Sequence, residues 1–263
     1  MADKVYLTTS WDDGSVNDLR LLKLLNQYSV KGTFYVPQNF PGKGGKYSAY
    51  SRRLSIEEIK TISLTQELGA HSLSHSDLTV LTDAELQKEV AESKTFLEEI
   101  IGKEVRVFSF PGGKFNDGVI DEIKTAEYLG ARATKQLNFK TPNESFSLGV
   151  SIQCSPFPFR KKDANKYYWK KIFNPLSNYG YELFHFASLI PNLYSWQSFA
   201  KAFLKYVMKH GNYFHLWGHS WEIEKYGMWP DLEKFLKYVS HRKDCIYLTN
   251  GDLINRIKKK DKI

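Results

Sequence analysis

Short apolar runs alternating with longer amphipathic stretches constrain this chain more than any other feature. Val5–Trp11 reads as a strand, and Leu19–Tyr28 carries leucines at the i, i+3 and i+4 spacing of a helix. The pairing then recurs. Strands are predicted at Lys31–Val36, Gly69–Leu73, Val105–Phe110, Ala131–Thr134, Phe146–Gln153, Tyr213–Trp217 and Ile246–Thr249. Helices are predicted from Ser55 to about Leu68, then over Thr82–Ile101, Val119–Tyr128, Trp196–Lys209 and Asp231–Ser240, with another from Gly251. Ser55 and Thr82 offer N-caps, and Thr82-Asp83-Ala84-Glu85 is a capping box. Pro37–Arg53 reads as a loop. Strands separated by helices imply parallel pairing with right-handed crossovers. Seven or eight such units favour a single-domain (β/α) barrel over an open sheet, spanning 1–263 with an irregular aromatic-rich insertion around 156–195 and a strand near Glu182–Phe186.

In such barrels chemistry sits at the C-terminal ends of the strands, so the candidates are strand-end residues. Asp12 and Asp13 follow the first strand, in Ser10-Trp11-Asp12-Asp13-Gly14. His71 and His75 follow the third, and His219 a later one. Two carboxylates this close rarely stay side by side unless a cation, an arginine or a shared proton separates them. Asp-Gly alone equally signals a turn. Two histidines four apart suit one cation from a single turn, and a carboxylate would complete a set with open positions. Asp13 fits as that carboxylate, which leaves Asp12 as a base and His219 as an acid whose pKa lies near working pH. His215, on the same strand as His219 but deeper, reads as a packed core histidine.

These stretches resemble the motifs of the polysaccharide deacetylases, the NodB-homology carbohydrate esterases. Ser10–Gly14 is similar to Thr-Phe-Asp-Asp-Gly, and His71-Ser72-Leu73-Ser74-His75 matches H-[ST]-x-x-H. Phe108–Gly113 resembles the third motif, and Leu216-Trp217-Gly218-His219 matches the closing L-x-x-H. The resemblance implies a distorted (β/α) barrel of mostly parallel strands and a metal-dependent hydrolase that removes an acetyl group from an N-acetylated, in some members O-acetylated, sugar. It implies Asp12 as general base, with Asp13, His71 and His75 as metal ligands. It further implies His219 as general acid and the Gly112 N–H as an oxyanion donor. Zinc is the expected ion, with Co, Ni, Mn and Fe compatible with the same donors.

Two departures matter. The arginine that pairs with the base in many members is replaced here by Ser109, and Arg160 is the candidate to supply it from a later position. The family's Asp-Trp motif is also absent. Glu222 could hold His219 in the required tautomer, and Trp217, Trp221 and Tyr226 could form an apolar wall for the substrate. These gaps keep two other readings open: a metal-containing carbohydrate-binding protein with impaired catalysis, and an amidohydrolase acting on a non-sugar amide.

Composition narrows the rest. The chain has 263 residues, 42% of them hydrophobic and 25% charged, which suits a globular core rather than disorder. Its formal charge of +8 gathers partly in Arg160–Lys162 and Lys258–Lys260. That suits an anionic glycan precursor, nucleotide- or lipid-linked, rather than nucleic acid, although a solvated lysine surface explains it as well. Two distant cysteines, Cys154 and Cys245, read as buried free thiols. With no apolar run near 18 residues and a strand beginning close to Met1, a cytoplasmic location is expected. Oligomeric state leaves no sequence signature here.

Overall fold

In the computed structural model the described residues are 4–39, 52–156, 161–163, 166–167 and 186–260. The alternation predicted from sequence is realised as β1 (Val5–Asp12), α1 (Asp18–Gln27), β2 (Thr33–Val36), α2 (Ile56–Ser63), β3 (Glu67–Ala70) and α3 (Asp83–Ile101). There follow β4 (Val107–Ser109), α4 (Asp117–Thr125), β5 (Gly130–Arg132) and β6 (Ile152–Cys154). A small antiparallel hairpin, β7 (Lys161–Asp163) with β8 (Lys166–Tyr167), lies within the insertion. The chain then forms α5 (Trp196–His210), β9 (Tyr213–Gly218), α6 (Ser220–Lys225), α7 (Trp229–Val239), β10 (Cys245–Tyr247) and α8 (Asn250–Lys260).

The main sheet runs β5-β4-β3-β2-β1-β9-β6, with β10 also pairing β1, and every ladder in it is parallel. Helices return the chain between strands, giving the NodB-like partial (β/α) barrel. β2, β4, β5 and β9 are buried at every position, as parallel strands covered on both faces must be. Both predicted capping boxes form, Ser55 with Glu58 and Thr82 with Glu85. Each satisfies two otherwise orphaned donors at a helix start.

Most strands are shorter than predicted, and one departs furthest. Of Phe146–Gln153 only the end joins β6. Leu148 instead bridges to Arg132 of β5, while Ile152 and Gln153 pair with β9. This stretch spans the gap between the two sheet edges, so it cannot form one continuous ladder with either neighbour. The proposed strand near Glu182–Phe186 falls almost wholly outside the described residues. Both cysteines are buried and free. Among the described residues, no helix is long and apolar enough to cross a membrane.

Parallel register collects the candidate residues at one rim. Trp11 lies opposite Gly218, so Asp12 and His219 leave neighbouring strands at the same level. Asp12 lies opposite Tyr35 and Ser109 opposite Arg132, and β3 ends at Ala70, immediately before His71.

Candidate active site

Asp13 continues β1 past its end with φ 84°, and Gly14 follows at φ 62°. Two successive left-handed residues turn the chain sharply and swing the Asp13 carboxylate away from the side expected of an extended strand. Ser72 and His75 also adopt positive φ, 60° and 57°. Such conformations cost about 1–3 kcal/mol each and persist where the surroundings enforce them.

The three residues meet. His75 Nε2 is 3.4 Å and His71 Nε2 3.7 Å from Asp13 Oδ1, and the three donor atoms lie within 4.8 Å of one another. Asp13 Oδ1 is buried and has no hydrogen-bond partner among the described residues. Ligands about 2.1 Å from a tetrahedral ion lie about 3.4 Å apart, so these separations fit one divalent cation better than hydrogen bonds. The Nδ1 of His71 sits 2.7 Å from the Ser109 carbonyl, which fixes the N–H there and leaves Nε2 with its lone pair toward Asp13. Burial pushes the His71 imidazole down to about 4, against the pull of Asp12, so it is neutral as a ligand must be.

Asp12 is held by a different set. Its carboxylate receives Arg132 Nη2 on both oxygens, in an ion pair with no exposure on the arginine side, and Trp217 Nε1 donates to Oδ2 at 2.8 Å. The guanidinium lies 5.2 Å from the ring centroids of both Tyr35 and Trp217, which clamp it. Burial raises the Asp12 pKa, but Arg132, with His71 and His219, outweighs it and leaves the carboxyl at about 2. Sequence reasoning looked for this partner at Arg160, which lies outside the described residues. The residue that orients Asp12 is Arg132, on β5. The detectable signal was an arginine at the end of a buried strand, because a charge buried there must be paired.

His219, just past β9, places Nδ1 3.0 Å from Glu222 Oε2 and Nε2 3.9 Å from Asp13 Oδ2. Glu222 is buried on α6, a helix too short to show periodicity in the sequence. Burial lowers the His219 pKa, but Asp13 and the Glu222 hydrogen bond prevail and raise it to about 9. A cation on Asp13 would cancel much of that residue's pull, leaving Glu222 as the main support. Glu222→Gln should therefore shift the alkaline limb of the kcat–pH profile to lower pH, because the acid must enter the cycle protonated. An unmoved limb would remove Glu222 from this role.

The tryptophans are not a plain apolar wall. Trp217 donates to Asp12 as above, and Trp221 Nε1 donates to Asp13 Oδ2 at 2.8 Å. Indoles can line a pocket and still spend their one donor on a carboxylate. Tyr226 caps the end of α6, with Lys225 Nζ 5.4 Å from its ring centroid. Gly112 lies in the turn after β4 at φ 62°, with no atom of the described residues beyond its chain neighbours within 4 Å of where a Cβ would stand. His215 is wholly buried between Ser10 Oγ and Tyr213 OH, at 2.7 and 2.8 Å, as its core reading requires.

A carboxylate paired with arginine, a cation-sized His-His-Asp cluster and a carboxylate-held histidine thus meet at one barrel rim. Residues 2–131, just under half of the chain, match the family model for polysaccharide deacetylases. The peptidoglycan-N-acetylglucosamine deacetylase of Bacillus cereus is 27% identical over 124 residues, 46% of this chain and 53% of that protein. The Bacillus subtilis protein YxkH is 25% identical over 131 residues, 49% of this chain and 43% of its own length. The chain thus spans about half the length of the curated relatives it matches. A Mycobacterium smegmatis structure described as a polysaccharide deacetylase shares the fold, with a TM-score of 0.68 at 15% identity, covering 99% of this chain and 92% of that one.

Proposed function

We propose that this chain is a metal-dependent deacetylase that hydrolyses the N-acetyl group of an acetylated glycan. The observation that carries the reading is the meeting at one rim of the Arg132-bound Asp12, the Asp13–His71–His75 cluster and the Glu222-bound His219. Asp13, His71 and His75 would hold the ion. A bound divalent cation polarises the acetyl carbonyl and acidifies the attacking water. Asp12 accepts that water's proton, and its orientation is set by Arg132 and Trp217. The Gly112 N–H donates to the developing oxyanion. His219, held by Glu222, protonates the departing amine as the C–N bond breaks.

Two histidines and one carboxylate favour zinc, with Co, Ni, Mn and Fe as competitors. The chain's basic excess supports an anionic substrate such as a nucleotide- or lipid-linked sugar, handled in the cytoplasm. Of the two gaps that motivate a non-catalytic reading, the arginine missing at Ser109 has a counterpart in Arg132, which supports the catalytic reading.

The test is acetate release from neutral and anionic N-acetylated sugars. Chelation should abolish it, and one equivalent of zinc or cobalt should restore it. Release that persists in protein shown by elemental analysis to be metal-free would end the metal-dependent reading.

A further inference from the structure

The two histidines of the cluster are held in unlike ways. His71 follows β3 directly and is tied to β4 through the Ser109 carbonyl, so the sheet itself fixes it. His75 hangs at the far end of the Ser72–His75 turn, which is left-handed at both ends. Within that turn Ser72 Oγ accepts from the His75 N–H at 2.9 Å. From outside, the Asn39 N–H donates to the Leu73 carbonyl at 2.5 Å, and a carboxylate on a neighbouring helix takes up the donors of the turn. Glu89, on α3, accepts from the Leu73 and Ser74 N–H groups on Oε2, both at 2.9 Å, and from the Ser74 hydroxyl on Oε1 at 2.6 Å.

Three donors converging on one carboxylate form a charge-assisted clamp of the stronger class of hydrogen bond. Its location is specific, since both N–H donors lie between the two histidines. Glu89 is not itself part of the cation-sized cluster, which contains only Asp13, His71 and His75 among the described residues. A turn with two left-handed residues, neither of them glycine, needs such outside support to persist.

We propose that Glu89 is a positioning residue for the metal centre, holding the turn so that His75 Nε2 faces Asp13 Oδ1. This rests on the metal-centre reading above. Partners of this kind, which orient ligands without touching the ion, typically contribute about 10- to 100-fold to metal affinity.

The experiment is a zinc titration of the chelator-stripped full chain in competition with a chromophoric chelator, alongside thermal unfolding of the same metal-free samples. Glu89→Ala should bind zinc about 10- to 100-fold more weakly while its metal-free unfolding stays near wild type. Glu89→Gln should fall between, because one amide oxygen still accepts while its NH2 faces donors. His75→Ala supplies the benchmark for loss of a ligand, and the visible spectrum of the cobalt-loaded forms reports the geometry of the site independently. Turnover of Glu89→Ala should recover toward wild type when zinc is raised to saturation.

Wild-type zinc affinity in Glu89→Ala, with His75→Ala weakened, would overturn the proposal and leave the metal centre standing. A fall in metal-free unfolding temperature with unchanged zinc affinity would overturn it too, reducing Glu89 to a fold support. If the wild-type chain itself binds no divalent ion, the metal-centre reading fails, and this inference with it.

Discussion

Replacing Arg132 with methionine should lower stability by about 3–5 kcal/mol, because it strands the Asp12 carboxylate in the interior without a cation. For a chain of this size that corresponds to a fall of about 10 °C in Tm. The ion pair is fully buried on the arginine side, so solvent screening relieves little of the loss. The pH dependence carries a matching signature. Asp12 sits at about 2 when folded, below its unfolded value, so the pair contributes about 2 kcal/mol above pH 4, lost as pH falls toward 2. Arg132→Met should lose that acid-dependent part of the stability curve.

The decisive arm is the double variant Arg132→Met with Asp12→Asn. Removing the stranded charge as well should return part of the lost stability, so the double variant should melt above Arg132→Met alone. Arg132→Lys should be intermediate, since lysine keeps a charge but lacks the flat guanidinium clamped between Tyr35 and Trp217. Thermal unfolding followed by circular dichroism checks all four proteins. A Tm of wild-type value in Arg132→Met would mean the pair is not what holds Asp12.

Arg132 also marks the limit of what the sequence made legible. Asp12, Asp13, His71, His75 and His219 could be placed because each follows a strand whose periodicity is plain, and parallel topology brings strand ends together. Arg132 ends β5 and so obeys the same rule, but the strand predicted over Ala131–Thr134 placed it in the interior. It lies 120 residues from the carboxylate it binds, and only register shows that β5 delivers it to the same rim. Trp217 and Trp221 were legible as residues near the site but not in their task, since an indole's hydrogen bond is invisible in one dimension. Glu222 needed the short α6 to face inward, and six residues carry no usable period. The barrel itself was legible because fully buried parallel strands separated by capped helices leave few other topologies.

Asp12→Asn should reduce kcat by about 10²- to 10⁴-fold, the usual contribution of a positioned general base, with KM and bound metal nearly unchanged. The isostere can still accept from Trp217 and Arg132, so loss of rate without loss of binding isolates proton transfer. A carboxylate at about 2 is a poor base for ordinary water, whose pKa lies near 15.7. It can act only if the water is made acidic beside it, which is what a cation on Asp13, His71 and His75 would do. The two halves of the dyad are therefore interdependent. Asp12 is kept anionic by Arg132 at a cost in basicity, and the neighbouring cluster compensates by lowering the demand on it. If so, Asp12→Asn measured in metal-free protein should cost almost nothing further, because no activated water remains to deprotonate. Acetate release in a two-by-two comparison of variant and metal content checks the coupling. Independent, multiplicative losses would show that Asp12 and the cluster do not act on the same water.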